Sequence, residues 1–481
     1  MIHSSRLVFF ASATFGTIAL ATACADDDPA TPSNLDPDSG VIGTADAAPR
    51  DSSAAQYDGG APADASGPAP LVFTMVTIRD VPVSIRIAEA PEAGTNLTIE
   101  PAAHGETTVK DGVIRYAPSP GYVGTDEVHG SVVAAGEERS LVIQVNVKDG
   151  LGTVVHGTLY TTEVDPDVGW ADVDSAGNRV GERTNGELVL VKASGEEVVI
   201  TPPAGAEYAL VRGLAADGTV LAQYLDGDRS QWLSFTWKDG AVLRTCDPGD
   251  EGDCSIERMH SGGRIVGTLY DWTTWRGFLW EPDGTRVLLD IDGYQNHFGR
   301  AIGVNGEVIG IVDSSSSGYE GPSRCFRGVP AIQTPDDDGG IPTARGFTIM
   351  PGPDSNPHAI DCRGVNAAGM IVGSVKATAD GENVPRSISD RMRGALWHPT
   401  RGFAYVRLPI PRPSESAWRL EQLFGIADNG VIVGWFQDVV PPTPPDEWPT
   451  RTTKGVTLRP EAPQDDRVFF EDSTFDHVGG P

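Results

Sequence analysis

The sequence predicts an all-β protein, a small β-sandwich followed by a β-propeller of six blades, with seven as the alternative count. Three observations predict it. First, the 481 residues hold 57 glycines and 37 prolines, and no long stretch spaces apolar residues at helical intervals. Second, the segment near residue 71 opens and closes on runs that alternate apolar and polar residues, LVFTMVTIRDVPVSIRIAE and SLVIQVNVK, as half-buried strands do. Third, a glycine turn followed by a short apolar run recurs six times in the rest of the chain.

The chain begins MIHSSRLVFFASATFGTIALATAC. Arg6 supplies a positive charge, and Leu7 to Ala21 are uncharged and apolar or small. That run suits a signal peptide and is short for a membrane-spanning helix, which needs about 20 apolar residues. Residues 1–23 are therefore read as an export signal. Ala21-Thr22-Ala23 before Cys24 resembles the lipobox of bacterial lipoproteins, which implies lipidation of Cys24 and attachment to a membrane. Leu20 stands four residues before the cysteine, one more than is usual there, and Ala21-Thr22-Ala23 also reads as an ordinary A-x-A cleavage site. A secreted protein is thus the alternative. Ala25, rather than Asp, follows the cysteine, which by the same resemblance points to the outer membrane, on its surface or its periplasmic face.

Residues 24–70 are rich in Asp, Ala, Pro, Ser and Gly and nearly empty of large apolar side chains. Such a run cannot bury a core and reads as a disordered tether. Residues 71–149 form the first folded unit. Ala103-His104-Gly105, Ile114-Arg115-Tyr116, Pro118-Ser119-Pro120-Gly121-Tyr122 and Gly124-Thr125-Asp126 resemble the immunoglobulin-like or cadherin-like modules of bacterial surface proteins. His104 is read as a turn residue, not a catalytic one.

Residues 150–470 carry the repeat, and 471–481 are left as a C-terminal tail. The phrases are DSAGNRVGE, AADGTVLAQ, HSGGRIVGT, GVNGEVIGI, NAAGMIVGS and ADNGVIVGW, with turn glycines Gly177, Gly218, Gly263, Gly306, Gly369 and Gly430. Successive glycines lie 41, 45, 43, 63 and 61 residues apart. Several short strands per unit at such a period predict propeller blades, because each unit alone leaves an apolar face to be covered by its neighbour. The I-V-G run is expected as the innermost strand. A second phrase follows: LSFTW, RGFLW, RGALW and KGVTL, with RGFTI (Arg345 to Ile349) as the fourth unit's form. Its aromatic residue is expected between blades. Insertions are placed at Asp313 to Ala344 and Ala377 to Arg391. A seventh blade would need Thr153 to Tyr160 to pair with a strand near Val468 to Phe470. Gly-Ile-Ala-Asp-Asn-Gly-Val-Ile-Val-Gly (425–434) and Arg276-Gly277-Phe278-Leu279-Trp280 resemble the HAF extracellular repeats, with Trp280 and Trp397 on the family's tryptophan position. That resemblance implies architecture and brings no catalytic residues with it.

The formal charge is −31, from 36 Lys+Arg against 67 Asp+Glu, which argues against nucleic acid as a partner. With Cys24 lipidated, four cysteines remain. Cys246 with Cys254 and Cys325 with Cys362 are the local pairs, expected as disulfides in an oxidising compartment. No nucleophile elbow, zinc-protease helix, phosphate loop or dinucleotide fingerprint is present. His260, His297 and His358 are placed in separate loops. Asp172, Asp174 and Glu182 loosely outline a calcium loop, but Ala176 takes a ligand position, so no cofactor or metal is assigned. Trp232, Trp272 and Trp275 are the candidate ligand-binding residues, as rings able to stack on sugars or peptides, with packing between blades as the alternative. The expectation is a monomeric, non-catalytic surface protein binding an unidentified extracellular protein or glycan. A carbohydrate-active lyase or glycosidase and a passive spacer are the rivals.

Overall fold

The computed structural model describes residues 69–470 except 88–96, 135–136, 247–252, 271–272, 314–322, 334–340, 352–359, 377–391, 407, 411–412, 414–417, 441–449 and 462–466. Cys24, Trp272, His358 and the tail 471–481 lie outside the described residues. Every regular element among them is a strand, so the protein is all-β.

Residues 71–148 form a four-stranded sheet and three strands of a second, packed over one core. Alternation sends Phe73 and Met75, then Leu141, Ile143, Val145 and Val147, into that core. Leu71–Ile78 pairs in parallel with Glu137–Lys148. Tyr116 is fully buried, and its hydroxyl is 3.0 Å from Asp126 Oδ2 and 3.2 Å from the His104 carbonyl. The His104 amide donates to the same carboxylate at 2.8 Å, and its ring stacks on Tyr122. His104 thus braces the end of the sandwich.

The chain end completes this sandwich. Val468–Phe469 pairs with Val83–Arg86, and Phe470 enters the sandwich core. The pairing that a seventh blade required is therefore not made. The hairpin of Leu151–Val155 and Thr158–Asp165 instead pairs with Thr450–Pro460. Its backbone donors and acceptors are used in the last sheet of the ring.

Six further sheets, antiparallel except for the parallel pairing of Leu288–Leu289 with Thr343–Ala344 in the third, are each built outward from a first strand: Val168–Val173, Ala206–Leu214, Asp253–Met259, Asn296–Ile302, Ile360–Val365 and Trp418–Ile426. Each first strand touches the next, and the sixth touches the first, so the sheets stack into a closed ring. The I-V-G run is the second strand of each sheet, not the innermost. The inner position goes to strands that mix glycine with charged residues, for reasons given below.

The turn between first and second strands is the same in all six. An amide–carbonyl bond runs from the turn glycine to the third residue before it, for example Gly263 to His260 at 2.8 Å. The six turn glycines have φ between 73° and 90°. This left-handed geometry suits glycine and closes a short hairpin. The second-strand glycine has another role. A Cβ on Gly310 would lie 2.0 Å from the Phe298 carbonyl oxygen and 2.6 Å from the Phe326 ring. Its absence lets the fully buried Phe326 cross the sheet. Phe278 covers Gly267 in the same way and packs with Leu221 of the preceding sheet and Cys254 of its own.

In the fourth sheet the third strand is Ser323–Gly328, and Thr348–Ile349 is the outer one. RGFTI is thus an outer strand, and RCFRG carries the buried aromatic. Part of the preceding insertion, Ala331–Gln333 and Thr343–Arg345, extends the edge of the third sheet. The disulfides staple neighbouring sheets. Cys246–Cys254 joins the second to the third, and Cys325–Cys362 joins the fourth to the fifth.

Gly310→Ala should lower the unfolding free energy by about 1–3 kcal/mol, the usual cost of overpacking a core. Urea denaturation with an unchanged midpoint would show that the close approach of Phe326 is not needed.

Candidate functional site

The ring brings one residue from every inner strand to the same height. Each inner strand carries a β-bulge against its partner, between Trp170 and Asp172, Val211 and Gly213, Ile256 and Arg258, Gly299 and Ala301, Cys362 and Gly364, and Leu423 and Gly425. A bulge re-aims its extra residue. The extra residues are Ala171, Arg212, Glu257, Arg300, Arg363 and Phe424. The residues after them, Asp172, Gly213, Arg258, Ala301, Gly364 and Gly425, form a second layer.

The second layer is a closed neck. Arg258, from the third sheet, reaches across the axis to Asp172 of the first and pairs with its carboxylate. Its other terminal nitrogen donates to the Phe424 carbonyl of the sixth sheet at 3.0 Å. Asp172 is fully buried and also accepts the amides of Val173 and Leu214, both at 2.7 Å. Small residues make the room. A Cβ on Gly425 would lie 2.5 Å from Asp172 Oδ1, and one on Gly213 would lie 2.5 Å from the Glu257 carbonyl oxygen. Burial lowers the Arg258 pKa to about 9, which still leaves it charged at neutral pH.

The first layer, above the neck, holds the remaining axial charges. Arg300 bonds Glu257 at 2.9 Å, and Ser255 donates to the same carboxylate oxygen at 2.9 Å. Arg363 Nε donates to Asp361 Oδ2 at 2.6 Å. Arg300 Nε stands 4.0 Å from Asp361 Oδ1. Arg212 Nε donates to the neutral Gln223 side chain at 3.0 Å. Burial pushes the Glu257 carboxyl up, but Arg300, Arg212 and Arg363 outweigh it and hold it below the usual range. Burial and the neighbouring Arg300 together lower Arg363. The arginines therefore act on one another across the axis.

Beside this layer, Tyr208 donates to Glu182 Oε1 at 3.1 Å. Burial raises the Glu182 pKa to about 7, against the opposing pull of Tyr208 and Arg212. A carboxyl in this range can hold or release a proton near neutrality.

The residues singled out from the sequence lie elsewhere. Trp232 is half-buried with its ring edge-on to Tyr208. Trp275 is half-buried, stacked on Tyr270 with centroids 4.4 Å apart, and 5.4 Å from Phe298 of the next sheet. Both sulfur pairs are bonded as disulfides. His297 is a correction: it lies in a first strand, not a loop, and its Nδ1 accepts the Gly277 amide at 2.9 Å. Burial lowers its pKa to about 4, so it is neutral and structural. His260 sits in a ring turn, 2.9 Å from the Val304 carbonyl. Asp174 is spent on the first turn, accepting from Asn178 through both oxygens, while Asp172 points into the neck. Among the described residues no three His, Cys, Asp or Glu side chains converge as a metal site.

Sequence reading missed the axial layers, although a signal was present. The extra bulge residue stands six positions before every turn glycine, and the neck residue five. In that column three of six residues are arginine. A phrase read for its glycines hides this, because the column precedes the repeated part.

No known family model matches the chain, and no curated protein does. Similar solved structures include β-propeller-like proteins. TolB from Acinetobacter baumannii is 10% identical over 82% of this chain and 94% of that one, with a TM-score of 0.33. The Dos1 propeller is 7% identical over 78% and 95%, with a TM-score of 0.28. A putative phosphatase from Bacteroides thetaiotaomicron is 10% identical over 79% and 98%, with a TM-score of 0.34.

Glu182 binds its proton more tightly in the fold than in the unfolded chain. Its contribution to stability is therefore full below the unfolded carboxyl value and is lost as pH rises through about 7. Glu182→Gln should match the parent in unfolding free energy at pH 4 and exceed it at pH 8. Parallel pH profiles would contradict the assignment.

Proposed function

We propose that this protein is a non-catalytic lipoprotein, anchored through Cys24 outside the cytoplasm, that binds an extracellular protein or glycan. In this reading residues 71–149 are an immunoglobulin-like spacer. The ring is a six-bladed β-propeller of HAF-type repeats. The observation that supports the reading is the neck, where the buried Asp172–Arg258 pair joins the first and third sheets at their inner strands; in this reading the faces of the ring carry recognition. The disulfides between sheets support export, since such bonds persist in oxidising compartments. The outer membrane is the expected site, with secretion as the alternative.

One observation favours a second reading. The Glu182 carboxyl, held near neutrality beside Tyr208, has the chemistry of a general acid in a lyase or glycosidase. A panel of polysaccharides incubated with purified protein separates the two. The binding reading expects retention of a glycan or protein partner on an array with no new reducing ends or unsaturated products. Turnover abolished by Glu182→Gln would replace it with the enzyme reading.

The anchor is tested separately. Cys24→Ala should move the protein from the membrane to the soluble fraction, and the parent should carry acyl mass on Cys24. An unchanged membrane fraction for the variant would overturn lipidation.

A further inference from the structure

We propose that the sandwich is a force-bearing coupling, which carries tension between the anchor before it and a ligand held by the ring after it. The inference deepens the proposed function and rests on it in two respects, an anchored N-terminal side and a ring that binds something outside.

Tension follows the covalent chain into and out of the sandwich. It enters at Leu71, the first residue of Leu71–Ile78, and leaves toward the ring at Lys148, the last residue of Glu137–Lys148. These two strands are neighbours and run parallel, with Leu71 opposite Leu141 and Ile78 opposite Lys148. Entry and exit therefore lie at opposite ends of one strand pair. Pulling them apart slides the strands along each other, so all eight register pairs resist together. An antiparallel pair in the same place would put entry and exit at one end, and its bonds would open one after another. Survival under force is set by the unfolding rate, and a step that must break many bonds at once has the higher barrier.

Both ends of the pair are reinforced. The Arg79 amide donates to the Lys148 carbonyl at 3.0 Å, one residue past the strand, and the Arg79 guanidinium stands 3.4 Å from Asp149 Oδ1. At the other end the Arg139 side chain donates to the Ala69 carbonyl at 3.1 Å. Sliding would also drag Phe73, Met75 and Ile78 through the sandwich core, where none of them is more than 5% exposed.

The ring side is held twice. Asp149 and Gly150 alone separate Lys148 from Leu151–Val155, whose hairpin joins the last sheet of the ring. Val154 and Leu159 of that hairpin lie in the sandwich core. After the ring the chain returns. The Arg467 carbonyl accepts the Arg86 amide at 2.9 Å, and its guanidinium lies over Phe73 at 4.5 Å. Val468–Phe469 pairs with Val83–Arg86, and Val468 and Phe470 enter the same core. A passive spacer needs one link to the part it carries. Links from before and after the ring stop it from peeling away, and load passes to the parallel pair.

The test is single-molecule pulling on the unlipidated chain from residue 24 to 481, with one handle on the Cys24 thiol in place of the lipid. The second handle goes on Asp167→Cys, an exposed turn residue of the ring, or on Glu138→Cys, exposed near the start of Glu137–Lys148. The first placement loads the parallel pair along its length. The second pulls the same two strands apart from one end. At equal force the pair should survive about tenfold longer in the first placement, because forced unfolding follows the unfolding rate. Phe470→Ala should shorten that survival severalfold. Val199→Thr, at an exposed position on the outer strand of the first sheet, should leave it unchanged. Equal survival in the two placements, or a Phe470→Ala chain that lasts as long as the parent, would overturn the proposal. The handle replaces the lipid, so the outcome does not depend on lipidation, and membrane fractionation and pulling fail separately.

Discussion

The ring depends on one buried ion pair. Asp172 and Arg258 belong to the first and third sheets, yet their side chains meet and pair out of water. Two charges withdrawn from water cost several kcal/mol each, and only close pairing with further hydrogen bonds offsets that. Both partners have such bonds: Asp172 takes two backbone amides and Arg258 reaches a backbone carbonyl. Those backbone partners lie in the first, second and sixth sheets. The pair therefore ties four of the six sheets to one point. Gly213, Gly364 and Gly425 in the same layer keep the inner strands close enough for this to happen.

The rest of the architecture brings that layer together. The bulge shared by all six inner strands turns two successive residues toward neighbouring sheets. The hairpin glycines fix the register from which the bulge is counted. Farther out, Phe278 and Phe326 lie over glycines of the second strand and fill the space between sheets, and the disulfides bond two of the junctions. Closure comes from both ends of the described chain. Thr158–Asp165 adds to the sixth sheet, while Val468–Phe469 returns to the sandwich. Opening the ring would thus require breaking strand pairs contributed from opposite ends of the repeat region.

Much of this was legible in the sequence, because its signals were local. Turn glycines need a positive φ, strands alternate, and a period in the forties implies stacked sheets. The all-β class, the strands that follow each turn, the aromatic packing and both disulfides follow from such rules. The errors came where a nonlocal partner decides the outcome. Whether Val468 pairs with the ring or with Val83–Arg86 depends on two edges far apart in sequence. The I-V-G run looks innermost because it is the most apolar, but the innermost strand borders the axis and accommodates charge. Arg212, Arg300 and Arg363 carry no mark in the repeated phrases, because the bulge that aligns them depends on strand pairing. Trp232 and Trp275, the candidate ligand platforms, are half-buried beside Tyr208, Tyr270 and Phe298.

The most direct test of the axial pair is a double-mutant cycle on unfolding free energy with Asp172→Asn and Arg258→Met, made singly and together. Each single variant leaves a buried group without its counter-charge and should lose about 3–5 kcal/mol. The double variant should lose less than the sum, with a coupling energy above about 1 kcal/mol. Additive losses would mean that the two charges do not hold the ring together across its axis.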